Sequence, residues 1–379
     1  MPADLSELHD ELRAVARDLL GKAAPGGLID WRSAAGSGWL GLEAPEALDG
    51  AGATFAEVAV VLQEMGRAAA CGPYLGTAVL GAGALGLLEP GPGRDALLRR
   101  IASGDAVVAV ALPGEHERAG AAPFRIEPAP GGPRLHGRAE FVPDASEAGR
   151  LLLPARDAAG ALVLADVEAG TAGLAVDARP VLDATRRFGH VTADGVEVAA
   201  ASVRRFGADP EAAVRRLSER AAVAVACDSL GLSEAMLEAT VAYAGVREQF
   251  GRPIGSFQAV KHACADMLVQ VSVARRLVSA AVRELAHAGL DDPGTAAAVS
   301  MAKAYACGAA VDIVGKAMQL HGGMGYTWES GVHVYLKRAA LNRSLFGSPA
   351  AHRGLLAERY RRPPDGGRPW RADGPLSTM

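Results

Sequence analysis

Two passages decide the fold: Arg247-Glu248-Gln249-Phe250-Gly251-Arg252-Pro253-Ile254-Gly255-Ser256-Phe257-Gln258 and, further on, Gln319-Leu320-His321-Gly322-Gly323-Met324-Gly325-Tyr326-Thr327. Each mixes a few polar groups with glycines in an otherwise helical context. Arg247 offers a planar, permanently charged fork that matches phosphate oxygens. Phe250 can stack on or wall off a flat heterocycle. Gln319 brings amide donors and acceptors, and Gly322-Gly323 lets backbone N–H groups approach a ligand with no Cβ in the way. Any one of these alone has a plainer reading: a solvated arginine, or a glycine pair that stops a helix. Together they describe a site for a dinucleotide with a pyrophosphate. The helical, β, helical order of the chain shows no nucleotide-binding βαβ unit, so a nucleotide would be held another way.

Both passages lie in a helical C-terminal stretch. From Asp209 to about Tyr360 the chain is rich in Ala, Leu, Val and Arg at helical spacing. Residues 1–103 are also helical in pattern: Leu5, Leu8, Leu12, Val15, Leu19 and Leu20 recur with charges between them. Phe55 to Ala70 forms a second amphipathic stretch behind the turn Asp49-Gly50-Ala51-Gly52, and Thr54 is placed to cap it. Between them, residues 104–207 break into short apolar or alternating runs: Val107 to Leu112, Phe124 to Glu127, Arg134 to Val142, Arg150 to Pro154 and Leu162 to Val167. Glycine and proline pairs separate these runs, which reads as an antiparallel β-sandwich or barrel. The last residues, 361–379, hold several Pro and Gly and read as a flexible tail.

The chain has 379 residues, half of them hydrophobic, and a net charge of −4. Its acidic balance speaks against nucleic acid, which needs a basic face. The start has no signal-peptide order, and the apolar run Leu75 to Leu88 is broken by Gly and too short to span a bilayer. Cys71, Cys227, Cys264 and Cys307 lie far apart without metal-ligand spacing, and neither do His321, His333 and His352 have it. A cytoplasmic protein with no membrane partner is expected.

In these two passages the chain resembles the acyl-CoA dehydrogenase family, whose two C-terminal signatures they match in order and without internal gaps. Gly38-Trp39-Leu40-Gly41-Leu42, the Leu62-Gln63-Glu64-Met65-Gly66-Arg67 helix, Asp183-Ala184-Thr185-Arg186 and Asp194-Gly195-Val196 extend the resemblance over nearly everything before the tail. It implies an α+β fold: an N-terminal helical domain, a middle β-sandwich or barrel domain and a C-terminal four-helix bundle. It also implies FAD, an acyl-CoA substrate, an electron-transferring flavoprotein as acceptor, and a dimer or tetramer. On the family pattern Arg247, Phe250, Gln319, Gly322 and Gly323 grip the FAD of a neighbouring protomer.

The resemblance also marks departures. The family's general base is a Glu that removes the α-proton of the thioester. Counting from His321 puts Phe346, in Leu345-Phe346-Gly347-Ser348, where the Glu of a Tyr-Glu-Gly-Thr loop would stand. Counting back from Arg247 through Gly231 puts Ala221 at the alternative position. Glu219 is close in sequence, but two residues on a helix is roughly 200° of rotation; Asp228 returns to the face of Ala221 but lies roughly 10 Å along the axis. In the β region, Ala111-Leu112-Pro113-Gly114-Glu115 and Phe141-Val142-Pro143-Asp144 stand where the flavin ring would be contacted. Pro143 lacks both hydroxyl and N–H. Three readings are open: a non-catalytic subunit beside a second dehydrogenase-like chain, a self-sufficient enzyme with its base displaced to Glu219, or an acyl-CoA-binding scaffold without redox chemistry. Trp328 to Arg338, with His352-Arg353, is similar to heteromeric members that act on steroid thioesters.

Overall fold

Helix α6 (Pro210–Val246) is 37 residues long and buries most of its first two-thirds, so everything else is arranged around it. The computed structural model describes residues 5–21, 24–114, 121–290 and 292–361. Glu115 and nearly all of the segment read as a tail lie outside the described residues.

The N-terminal helices are α1 (Leu5–Leu20), α2 (Trp31–Gly36), α3 (Phe55–Ala68), α4 (Leu75–Gly86) and α5 (Pro92–Ala102). Thr54 caps α3 as its sequence predicts: its hydroxyl accepts from the Ala56 N–H, and Glu57 returns a bond to the Thr54 N–H, a reciprocal capping box. Such a cap contributes about 1 kcal/mol. Over Leu75–Ala82, α4 is a π-helix.

The middle region is one mixed sheet of β1 (Val108–Val110), β2 (Phe124–Glu127), β3 (Arg134–Pro143), β4 (Arg150–Arg156), β5 (Leu162–Glu168), β6 (Leu174–Ala178), β7 (Phe188–Glu197) and β8 (Val203–Arg204). The order is β6-β7-β3-β2-β4-β5-β8, with β1 also on β4. Pairing is not antiparallel throughout, as alternation alone suggests. Val108 pairs with Arg150 and Phe124 with Ala155, so β1 and β2 both run parallel to β4, one after the other along the same edge. They act as a single strand whose two parts are separated in sequence by residues 111–123. Strand β7 lies one strand in from the edge, between β3 and β6; its Gly189, Thr192, Asp194 and Gly195 hid it from pattern reading. Alternate side chains of these strands form a core of their own around Leu135, Leu151, Leu153, Val163 and Val191.

A short hairpin, β9 (Glu248–Gln249) and β10 (Arg252–Pro253), follows α6. Then α7 (Gln258–His287) and α8 (Pro293–Leu320) form the bundle with α6, completed by α9 (Val332–Ser344) and α10 (Pro349–Tyr360). Among the described residues only α8 is long and apolar enough to cross a membrane by composition, and it is mostly buried inside the bundle.

Helices α3 and α6 touch at backbone distance, and two glycines allow it. A Cβ on Gly66 would lie 2.0 Å from the Asp228 carbonyl oxygen, and one on Gly231 would lie 1.8 Å from that of Gln63. This contact welds the N-terminal helices to the bundle. It brings Asp228, in the middle of the apolar run Ala221–Leu232, against the end of α3.

Candidate functional site

The two deciding passages meet at one end of the bundle. Arg247 is the C-cap of α6, and Gln319 sits in the last turn of α8. The Tyr243 ring, one turn before Arg247, stacks on His321, the residue before Gly322-Gly323, with centroids 4.5 Å apart. His321 is thus a packing residue, buried, with Nδ1 2.7 Å from the Ala317 carbonyl. Arg247, Phe250, Gln319, Gly322 and Gly323 are all exposed. Phe250 and Gly251 both have positive φ, at 54° and 74°, between the paired Gln249 and Arg252. That is a type I′ turn, which a phenylalanine enters only with strain. The result is a ring 92 % exposed, held out from the surface. Nothing lies within 4 Å of a Cβ built on Gly322 or Gly323, so their backbone faces open space.

The expected base positions are apolar, and the surrounding carboxylates are engaged. Ala221 is fully buried. The neighbouring Arg220 donates to both oxygens of Glu43 and to the Val79 carbonyl (3.0 Å). Its guanidinium lies over the Phe55 ring at 4.7 Å. Gly83 leaves the room, since a Cβ there would meet Arg220 Nε at 2.6 Å. Glu219 lies on the other side of α6, 3.3 Å from Arg216, as helical rotation requires. Arg216 in turn donates to the Gly289 carbonyl past the end of α7.

Phe346 is half-buried at φ 54°. Its carbonyl is 2.9 Å from His352 Nε2, while the fully buried Lys303 donates to the carbonyls of Gly347 (2.8 Å), Asn342 (3.0 Å) and Arg343 (3.2 Å). The loop at Phe346, where the family pattern led a base to be expected, is therefore firmly pinned, with a phenyl group at its tip.

Sequence reasoning missed the most highly charged part of the interior. Asp228 and Arg338 are both fully buried and joined by two bonds of 2.9 and 2.5 Å. Arg186 approaches the same carboxylate at 3.2 Å, Asn342 donates to it at 2.6 Å, and Arg338 also reaches the Ala70 carbonyl and Thr185. Burial alone would raise the Asp228 pKa, but the Arg338 and Arg186 charges outweigh it and hold the carboxyl below its usual range. The available signal was a lone carboxylate within the apolar run of α6. The sequence groups Arg338 with the substrate-side segment; its place is structural.

Asp144 behaves in the opposite way. It follows β3 at φ 60°, buried, and accepts from the Gly76 N–H at 2.7 Å, tying the π-helical turn of α4 to the sheet. Thr77 adds a second tie, exchanging bonds with the N–H and carbonyl of Val108. Burial, the largest influence, pushes the Asp144 pKa up to about 7 despite the Gly76 bond and the Arg186 charge. Its folded pKa lies above the unfolded one, so the folded state binds the proton more tightly. The stability Asp144 contributes is present below about pH 4 and is lost as pH rises toward 7. Asp144→Asn will therefore gain on the parent protein in melting temperature between pH 5 and pH 8. A difference that stays constant across that range contradicts the assignment.

Comparison with known proteins places this geometry. Residues 6–105 match the family described as acyl-CoA dehydrogenase, N-terminal domain, and residues 212–361 the one described as acyl-CoA dehydrogenase, C-terminal domain. The acyl-CoA dehydrogenase IpdE2 of Mycobacterium tuberculosis is 32 % identical over 308 residues, covering 80 % of this chain and 78 % of that protein. The ChsE4-ChsE5 complex of Mycobacterium tuberculosis contains a chain 28 % identical, with a TM-score of 0.80 over 96 % of this chain and 99 % of that one. A chain from a variant of the Tcur3481-Tcur3483 steroid ACAD is also 28 % identical, with a TM-score of 0.80 over 93 % of this chain and 98 % of that one. With its helices, interrupted mixed sheet and bundle in this order, the chain belongs to the acyl-CoA dehydrogenase family, oxidoreductases that act on the CH–CH bond of acyl thioesters.

Proposed function

We propose that this chain is the non-catalytic, FAD-gripping subunit of a hetero-oligomeric acyl-CoA dehydrogenase that acts on bulky, steroid-type thioesters. One observation carries the reading: both base positions, Ala221 and Phe346, are apolar, and Glu43, Glu219 and Asp228 are each engaged by arginine. Among the described residues no carboxylate is left to abstract an α-proton there.

FAD is the family's cofactor, and the residues present fit one half of it. Arg247 and Gln319 are exposed donors beside an open glycine backbone, suited to the pyrophosphate and ADP portion. The ring half fits poorly. Pro143 has no N–H, the Asp144 N–H is spent on the Arg187 carbonyl (2.9 Å), and the Ala111 N–H on that of Leu152 (3.1 Å). When bound, FAD supplies the hydride acceptor; in this reading the reactive ring is framed, and the base supplied, by the second chain. Phe250, Arg247, Gln319 and the two glycines reach across to it. The ChsE4-ChsE5 complex and the steroid ACAD Tcur3481-Tcur3483 support a partnership between unlike chains and a bulky substrate. An electron-transferring flavoprotein as acceptor and a cytoplasmic location belong to the same proposal.

The test is the visible spectrum of the chain purified alone and then with a dehydrogenase-like partner. The lone chain is expected to be colourless and without turnover, and the co-purified pair to be yellow and bleached by acyl-CoA. A yellow lone chain bleached by acyl-CoA would instead mean a complete site with a displaced base. Binding of acyl-CoA with no flavin reduction in any combination would leave a scaffold.

A further inference from the structure

Outside that site, a cleft of about 560 Å3 lies between α1, α3, α6 and α7. Two rows of arginine and histidine side chains at four-residue spacing form its walls, with His9 bonded to Glu57 at 2.7 Å. His9, Arg13 and Arg17 face in from α1, and Arg275, Arg283 and His287, with Ser279 between, face in from α7. Four-residue spacing puts each row on one helix face. The floor between them is apolar, with Val60, Leu230, Val278 and Val282.

The two ends of the cleft differ in charge. At one end the guanidiniums are matched: Arg17 to Glu64 at 2.8 Å, Arg67 to Glu238 at 2.5 Å and Arg275 to Glu234 at 2.7 Å. Arg283 lies eight residues further along α7, about 12 Å along the axis. It is exposed and makes no ion pair among the described residues. His287 is one turn beyond it, and the floor of α6 beside this end offers Cys227 and Leu230 instead of carboxylates.

A cleft with an apolar middle, a neutralised end and an uncompensated cation at the other end is built for one chemistry. We infer that it binds an apolar monocarboxylate of fatty-acid or steroid-acid size, its body over Val278 and Val282 and its carboxylate on Arg283. The volume suits a molecule of that size, and a guanidinium–carboxylate bond in a part-desolvated cleft gives the orientation. The site is separate from Ala221 and from the Arg247–Gly323 surface, so it does not depend on the chain's role in holding FAD.

Calorimetric titration of the full chain, alone and with its partner, tests this without any flavin readout. The probes are dodecanoate, cholate and dodecanol. Saturable binding of dodecanoate or cholate is expected, with dodecanol at least about tenfold weaker, the worth of a bond to a charged group. Both acids binding makes the cleft tolerant of rings; only one binding narrows the class. Arg283→Glu and Ser279→Trp, at exposed positions and with their folding checked by circular dichroism, should each weaken binding at least about tenfold. The inference is overturned if neither acid saturates, if dodecanol binds as well, or if both variants bind like the parent.

Discussion

Asp228→Ala is expected to unfold this chain or leave it insoluble at ordinary temperature. Asp228 is the carboxylate that pairs with both Arg338 and Arg186, and all three are buried between α6, α9 and the end of the sheet. Removing one partner of a buried pair leaves the other charge without compensation, at about 3–5 kcal/mol. Here two guanidiniums lose their partner at once, against a total stability of about 5–15 kcal/mol for a typical domain. The Asn342 side chain and the cross-links from Arg338 to Ala70 and Thr185 would also lose their anchor. Asp228→Asn keeps the shape and two polar atoms and should lose less. Thermal unfolding followed by circular dichroism ranks the three proteins; equal midpoints for parent and Asp228→Ala would show that the cluster contributes nothing net to the fold.

The second large effect is expected at Arg247. In complex with its partner, Arg247→Ala should bind FAD roughly 30- to 150-fold more weakly, since a bond to a charged group contributes about 2–3 kcal/mol. The side chain is exposed and no ion pair among the described residues holds it, so truncation leaves helix, hairpin and bundle intact. The loss would appear as a colourless pool after gel filtration, with an unchanged elution volume and recovery on adding FAD. Arg247→Lys keeps charge but not the two-pronged geometry, and belongs between them. If Arg247→Ala retains flavin through gel filtration like the parent, the cofactor is gripped elsewhere.

These two arginine-dependent sites show where the sequence speaks and where it does not. Sequence alone determined what depends on local chemistry and on spacing. Helical periodicity and strand-length runs delivered the helical, β, helical order; Thr54 announced the start of α3; and Arg247-x-x-Phe-Gly with Gln319-x-x-Gly-Gly pointed to the family. Counting from those motifs gave Ala221 and Phe346 as the expected base positions on the family pattern, because each count stays within a continuous stretch. Tertiary structure decided everything that joins residues distant in sequence. Only folding shows that β1 and β2 are one interrupted strand along β4, because register is set by partners and not by the strand's own composition. Only folding puts Arg186 and Arg338 on Asp228, Glu43 on Arg220, and the rows of α1 and α7 on facing walls. A charged side chain reads as solvated until its partner is known, since burial of a charge is tolerable only when another element supplies the compensating charge.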